Sequence, residues 1–439
     1  MSHQAKSPLK LSAPPQARIS NVIDDYHGRQ INDPYRWLED STSEETQRFV
    51  EEQNAYTRCV LEGVPRRDEL RRRIEQLLTI GRVASPRIGG KNYFYERRDG
   101  RQNQAVVYVR DGRQGENRPL IDVNTLAPDG TIALDWWYPS EDGKYVAFGT
   151  SPNGSELSTL QVIEAASGAL LAEKIERTRA ASVAWLPDGS GFYYTRYPRP
   201  GDVPSGEEMY NRRVFFHELS SADNANGAKD SLIFPADGID FAPEHWPNVS
   251  VSNCGRWLLV DVSEGWTKTE LYLKDLAASG SRFQRITSGK NFLYHGEVLD
   301  GQLYITTNED APRFHVFKVA CAAPERSNWK EIIPESDAVI EGHAAIIARK
   351  LFVHSIKNAS SQLKIFDLEG RLVAEVPMPA LGSIFDLGGN WNSDSGFFGF
   401  VSYAIPPTVY EVGLNGQTAE WARVDSGIDP ARYQTEQIW

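Results

Sequence analysis

The sequence has little cysteine: three residues in 439, Cys59, Cys254 and Cys321, far apart and without a CxxC pair. An odd, scattered set argues against a disulfide scaffold and fits a reducing compartment, so a cytoplasmic location is expected. Positive charge is also short. Asp and Glu outnumber Lys and Arg by 59 to 47, a net charge of −12, which makes nucleic acid and anionic membrane surfaces unfavourable partners. The densest basic run, Arg66, Arg67, Arg71, Arg72 and Arg73, is interleaved with Asp68, Glu69 and Glu75 at helical ion-pair spacing and reads as a solvated face. No stretch approaches ~18 consecutive apolar residues, so no transmembrane helix is expected. Residues 1–20 lack the apolar run of a signal peptide.

Reactive motifs are missing as well. A hydrolytic serine is usually presented on a G-x-S-x-G turn, and no serine here has glycine two residues before and after it. The eight histidines, His3, His27, His217, His245, His295, His315, His343 and His354, are scattered along the chain without H-E-x-x-H or a Cys/His cluster, and read as satisfied turn or rim residues. No phosphate loop or dinucleotide fingerprint opens a helix. Paired carboxylates for glycoside hydrolysis could be sought at Glu264, Glu309 and Asp310, but acidic turn residues are common throughout. No catalytic residue, metal or cofactor is expected from these residues alone.

What is present is aromatic and periodic. Aromatic residues make up 11% of the chain, a class suited to pleated, half-buried surfaces. The period is helical only near the start. Thr42 and Glu45 have capping-box spacing, Phe49, Tyr56 and Val60 share a face, and Gly63 is a stop. A second helix follows Pro65, with Leu70, Ile74, Leu77 and Leu78 on one side. After about residue 80 a turn-and-strand unit recurs seven times: 89–95, 141–148, 187–194, 253–260, 299–306, 348–353 and 394–400. The spacings are about 53, 46, 66, 46, 49 and 46 residues, near the length of a four-stranded blade. Each unit has a second apolar strand, as at 105–109, 160–163, 214–216, 271–273, 316–319, 363–366 and 409–412. Polar stretches at 201–206 and 222–229 account for the long third gap as insertions.

One blade exposes both sheet faces, so seven must stack to bury their aromatics. The expected fold is mainly β: a seven-bladed β-propeller over 80–425, preceded by an α-helical hairpin segment over 1–79, with 426–439 outside the ring. Two packed β-sandwiches are the alternative. The last blade offers no obvious strand to complete the first, so a ring closed without strand exchange is expected.

The segment Asp25-Tyr-His-Gly-Arg-Gln-Ile-Asn-Asp-Pro-Tyr-Arg-Trp-Leu-Glu-Asp40, with Glu51-Glu-Gln-Asn54, closely resembles the opening of prolyl oligopeptidases, serine peptidases that cleave short peptides after proline. Further similar stretches lie at 103–109, 129–134, 140–145, 183–189 and 427–438, so the resemblance spans nearly the whole chain. It implies that the N-terminal segment packs, through Tyr35, Trp37, Leu38 and Phe49, on an α/β-hydrolase domain that follows the propeller and carries the Ser, Asp and His. It also implies that 426–439 are the first residues of that domain, that the rest is absent here, and that the chain is inactive alone.

In the resembled family the propeller filters short peptides through its tunnel. An aromatic that some members use near substrate falls at Ala180, and the loop Ser263-Glu264-Gly265-Trp266 is similar to one lining the cavity, which makes Glu264 and Trp266 the candidate substrate contacts. Trp266 is larger than the residue expected there, and packing between blades is the competing reading. Short proline-containing peptides, if the enzyme is complemented, and a hydrolase-domain partner are the implied ligands. A stand-alone interaction module, one half of a split enzyme and a functionally null truncated reading frame are the alternatives.

Overall fold

The computed structural model describes residues 13–127, 129–219, 222–427 and 429–439. The chain divides into two compact units, Met1–Thr79 and Ile80–Trp439.

The first unit begins with a hairpin, Ile23–Tyr26 against Arg29–Asn32, turned at His27 and Gly28, both with positive φ as a tight two-residue turn requires. A 3-10 turn at Arg36–Glu39 leads to α1 (Glu44–Glu62) and α2 (Arg67–Leu78). The cap of α1 lies one residue later than the Thr42/Glu45 spacing suggests. Ser43 Oγ accepts the Thr46 amide at 3.2 Å, while Thr42 turns back to donate to Asp40 at 2.7 Å. Asp40 thereby organises the turn and leaves Ser43 free to cap. Trp37 meets Phe49 edge to face at 5.6 Å and donates its indole N–H to the Arg18 carbonyl. Among the described residues of this unit only Thr46 is buried, and no hydrophobic side chain is.

The second unit is a seven-bladed β-propeller: blade 1 (82–121), blade 2 (132–164), blade 3 (183–234), blade 4 (246–285), blade 5 (294–333), blade 6 (339–376) and blade 7 (383–423). Each is an antiparallel meander, and blade 2 completes its outer edge with isolated bridges from Leu160 to Ile175 and Ile163 to Leu170. The expected insertions fall in blade 3, on either side of its third strand, Arg213–Glu218. First strands of neighbouring blades approach one another between blades 1 and 2, 3 and 4, and 5 and 6, so they wall the central channel. Close approach fixes some residues: Gly149 lies opposite Trp136, and a Cβ there would sit 2.3 Å from the indole.

Burial is organised seam by seam. Seven apolar clusters each join two consecutive blades. The seam between blades 7 and 1 has five buried members, Val83, Tyr93, Tyr95, Phe397 and Val409, against eight to twelve in the others. Among the described residues no strand is exchanged there, since blades 1 and 7 are each built from their own consecutive strands. Aromatic edges and arginines hold the closure instead. Tyr93 meets Phe397 at 5.9 Å, Tyr95 meets Trp421 at 5.1 Å, and Arg113 bridges to Asp394 at 2.7 Å and Glu411 at 2.6 Å.

Candidate functional site

Because strand order alternates, the loops between second and third strands and the links from one blade to the next emerge at one end of the ring. Chain entry at Ile80 and exit after Arg423 lie at this end. So do Trp266 and Tyr403, which stand 95% and 103% exposed.

The channel wall beneath this end is polar where blades 4, 5 and 6 meet. The first strand of blade 5, Tyr294–Leu299, sends His295 and Glu297 to the same side, two residues apart. His343, between the two short inner strands of blade 6, Val339–Ile340 and Ala345–Ile347, has its ring 6.3 Å from that of His295 and places Nε2 3.9 Å from Glu297 Oε2. The Ile346 amide donates to Glu297 at 2.9 Å. In blade 4, Asn248 donates to Asp261 at 3.0 Å and accepts from Arg212, whose guanidinium lies over Trp246 at 4.2 Å.

Burial sets the charge of this wall. It pushes the Glu297 carboxyl up to about 7, with the negative charge of Glu141 adding to the effect and the Ile346 amide opposing it. Burial holds the His343 and His295 imidazoles below their ordinary value. His343 nonetheless remains 52% accessible and Glu297 36%, as expected of groups on a channel wall. The wall therefore sets a carboxyl that titrates near neutral pH beside two imidazoles whose protonation burial opposes. The reading of His295 and His343 as scattered rim residues is corrected here: neighbouring blades bring them together, a relation that 47 intervening residues conceal in the sequence.

One serine–histidine contact among the described residues resembles a nucleophile–base pair. His354 Nε2 and Ser361 Oγ lie 2.8 Å apart in blade 6, but both residues are buried within the sheet, Ser361 also accepts the Ile384 amide, and no described carboxylate hydrogen-bonds the other ring nitrogen. Glu309 is engaged by Arg326 at 3.1 Å. No described group of three His, Cys, Asp or Glu is arranged to hold a metal ion, and no described helix is long and apolar enough to cross a membrane.

The two candidate substrate contacts separate in space. Glu264 ends the second strand of blade 4 and pairs with Lys268 at 2.6 Å on the wall of a cavity between blade 4 and the link from blade 3. Trp266, two residues on, projects into solvent and does not pack between blades. Ala180 sits in the link into blade 3 with a positive φ of 45°, beside Arg179, which pairs with Glu156 at 2.7 Å. Of the N-terminal candidates, Trp37 and Phe49 pack together, Leu38 is half-buried and Tyr35 is exposed.

Comparison with known proteins adds a consistent result. Residues 14–424 match the family model described as the prolyl oligopeptidase N-terminal beta-propeller domain. The prolyl endopeptidase of Elizabethkingia meningoseptica is 28% identical over 428 residues, 97% of this chain and 59% of its own length. A prolyl endopeptidase structure from a study of inter-domain dynamics in catalysis and specificity superposes with a TM-score of 0.88 at 32% identity, covering 97% of this chain and 62% of that one. Prolyl oligopeptidase B of Galerina marginata, bound to a 35-residue substrate, shares the fold with a TM-score of 0.82 at 18% identity, covering 95% of this chain and 62% of its own. The chain thus spans about 60% of the length of the relatives it matches.

Proposed function

The chain belongs to the prolyl oligopeptidase family and forms its propeller portion, and from that premise we propose that it gates the passage of short proline-containing peptides to a hydrolase body, without cleaving them itself. The observation that carries this reading is the state of the N-terminal unit. Leu70, Ile74 and Leu78 of α2 are 54%, 54% and 64% exposed, and Ile19, Ile23 and Tyr26 are more than half exposed. Apolar area of that extent marks a surface made to be covered. In this reading the cover is a hydrolase body supplying the catalytic serine, acid and histidine, and Tyr35, Trp37, Leu38 and Phe49 belong to the interface. The sparse closing seam between blades 7 and 1 supports a ring that loosens to admit peptide. The three free cysteines support a cytosolic setting.

The test is turnover of a Gly-Pro reporter by the 439-residue chain, alone and mixed with the separately produced hydrolase portion of the Elizabethkingia relative. No turnover alone and activity on mixing is the expected outcome; robust turnover by the chain alone overturns the reading. A second reading, a stand-alone interaction module, is favoured by the exposed Trp266 and Tyr403 at the entry end. Absence of any association with the hydrolase portion would favour it.

A further inference from the structure

Blades 3 and 4 are joined over most of their seam by apolar side chains, with Val214 and Phe234 on one side and Leu258, Val260 and Val262 on the other. At the entry end the same face of blade 4 changes chemistry. Cross-strand register sets Glu264 opposite Lys268, Val262 opposite Glu270 and Tyr272 opposite Arg285. The two-residue period of a strand brings Lys268, Glu270 and Tyr272 to one side. The link out of blade 3 passes over them, and the seam opens into a cavity of about 620 Å³. Exposed Asp240, Glu244 and Arg285 leave it open to solvent and wide enough for a long side chain, so a ligand needs only an anchoring group on the wall.

Glu270 supplies one. The residue is 7% exposed; one carboxylate oxygen accepts the Thr287 hydroxyl, and the other, Oε1, is buried without a hydrogen-bond partner among the described residues. A buried carboxylate oxygen lacking a donor is costly, and at a cavity wall the missing donor is what a ligand can bring. The remaining charges set the sign of that ligand. Glu264 is paired with Lys268 at 2.6 Å, and the Ala242 amide donates to His245 Nδ1 at 3.1 Å. Asp240, Glu244 and Glu270 then face Arg285 alone across the cavity, so the field inside is negative. Tyr272 adds an aromatic ring suited to a flat or quaternary cation, while the Phe283 ring already lies against the Lys274 ammonium at 5.3 Å.

We propose that this cavity binds an organic cation, the guanidinium or ammonium group of a basic side chain, with Glu270 as its buried counter-ion. The site is independent of the channel and of the gating reading, since its walls come from blade 4 and the link out of blade 3.

The experiment measures binding of Nα-acetyl-arginine amide to the 439-residue chain by calorimetry, with the neutral isostere Nα-acetyl-citrulline amide as control. The arginine derivative should bind about 10-fold more tightly, as expected of a charge-assisted hydrogen bond, and the advantage should shrink as salt is raised. Glu270→Gln should abolish the preference. Asp240→Asn, at an exposed wall position, should reduce it about 2-fold with the melting curve unchanged. Equal binding of the two probes, binding of neither, or an undiminished preference in both variants overturns the proposal. If Glu270→Gln fails to fold, the salt dependence and the Asp240→Asn result decide it.

Discussion

His217 and Asp230 form an ion pair with neither side chain exposed: imidazole Nδ1 and carboxylate Oδ1 are 2.9 Å apart. Asp230 also accepts the Tyr194 hydroxyl at 2.7 Å and the Asn224 amide group, and Glu173 approaches the other imidazole nitrogen at 3.9 Å. The pair ties the polar insertion before the last strand of blade 3 to the sheet beneath it.

Burial alone would lower the His217 pKa, yet the contacts with Asp230 and Glu173 outweigh it and raise the value to about 9. A group whose folded pKa exceeds its unfolded value near 6.5 stabilises fully below that unfolded value and loses its contribution as pH climbs through the folded one. The melting temperature should therefore fall between about pH 6.5 and 9 by an amount that His217→Gln removes. The stability at stake is about 3 kcal/mol. Thermal melts of both proteins across this window check it; parallel profiles would contradict the assignment.

The closing seam predicts where the ring yields first. Phe397 is fully buried between Tyr93 and Trp421, and Phe397→Ala should cost about 3–5 kcal/mol. The change in hydrogen exchange should concentrate in strands 92–98 and 395–401. Phe352, equally buried in the seam between blades 6 and 7, is the control; Phe352→Ala should spare strand 92–98. Uniform loss of protection in both variants would mean that the closure is no weaker than its neighbours.

Strands were legible in the sequence where both faces are buried. The second strand of blade 3, Gly191–Arg196, is buried at every position, and the second strand of blade 7, Ser395–Val401, at all but its last, so their apolar runs stand out. All seven turn-and-strand units coincide with second strands, and the partner runs coincide with third strands. First strands were obscured because a channel wall places residues such as His295 and Glu297 among apolar ones. Fourth strands are outer edges, as at Thr418–Arg423, and carry too few buried side chains to declare themselves. The site was less legible for a related reason. Glu270, His217 and Arg212 look in sequence like any polar strand residue, and only the stacking of blades reveals that each is buried.

The raised carboxyl in the channel makes a separate prediction. For Glu297 the folded pKa, about 7, lies above the ordinary value of 4.5, so the fold binds this proton more tightly than the unfolded chain does. The contribution favours folding at low pH and is lost as pH rises through that interval. Glu297→Gln should flatten this part of the stability profile and gain on the parent protein above about pH 7. Carboxyl carbon chemical shifts read the midpoint directly. Glu141→Gln should lower it, since the Glu141 charge contributes to the shift; a midpoint in the usual glutamate range would refute the account.

The exposed face of α2 can be tested without disturbing the helix. Gln has nearly the same helix propensity as Leu, so changing Leu70, Ile74 and Leu78 together to Gln removes apolar surface while the backbone preference is largely kept. None of the three is buried in the N-terminal unit, so the melting temperature should stay within ~2 °C of the parent. Fluorescence of a hydrophobic dye bound to the chain should drop, because the patch that attracts it is gone. Reconstitution with the hydrolase portion should be lost as well, since the same face is the proposed seat of that partner. Retained reconstitution with reduced dye binding would place the partner on a different surface, whereas a large fall in melting temperature would show that the three side chains already hold this unit together.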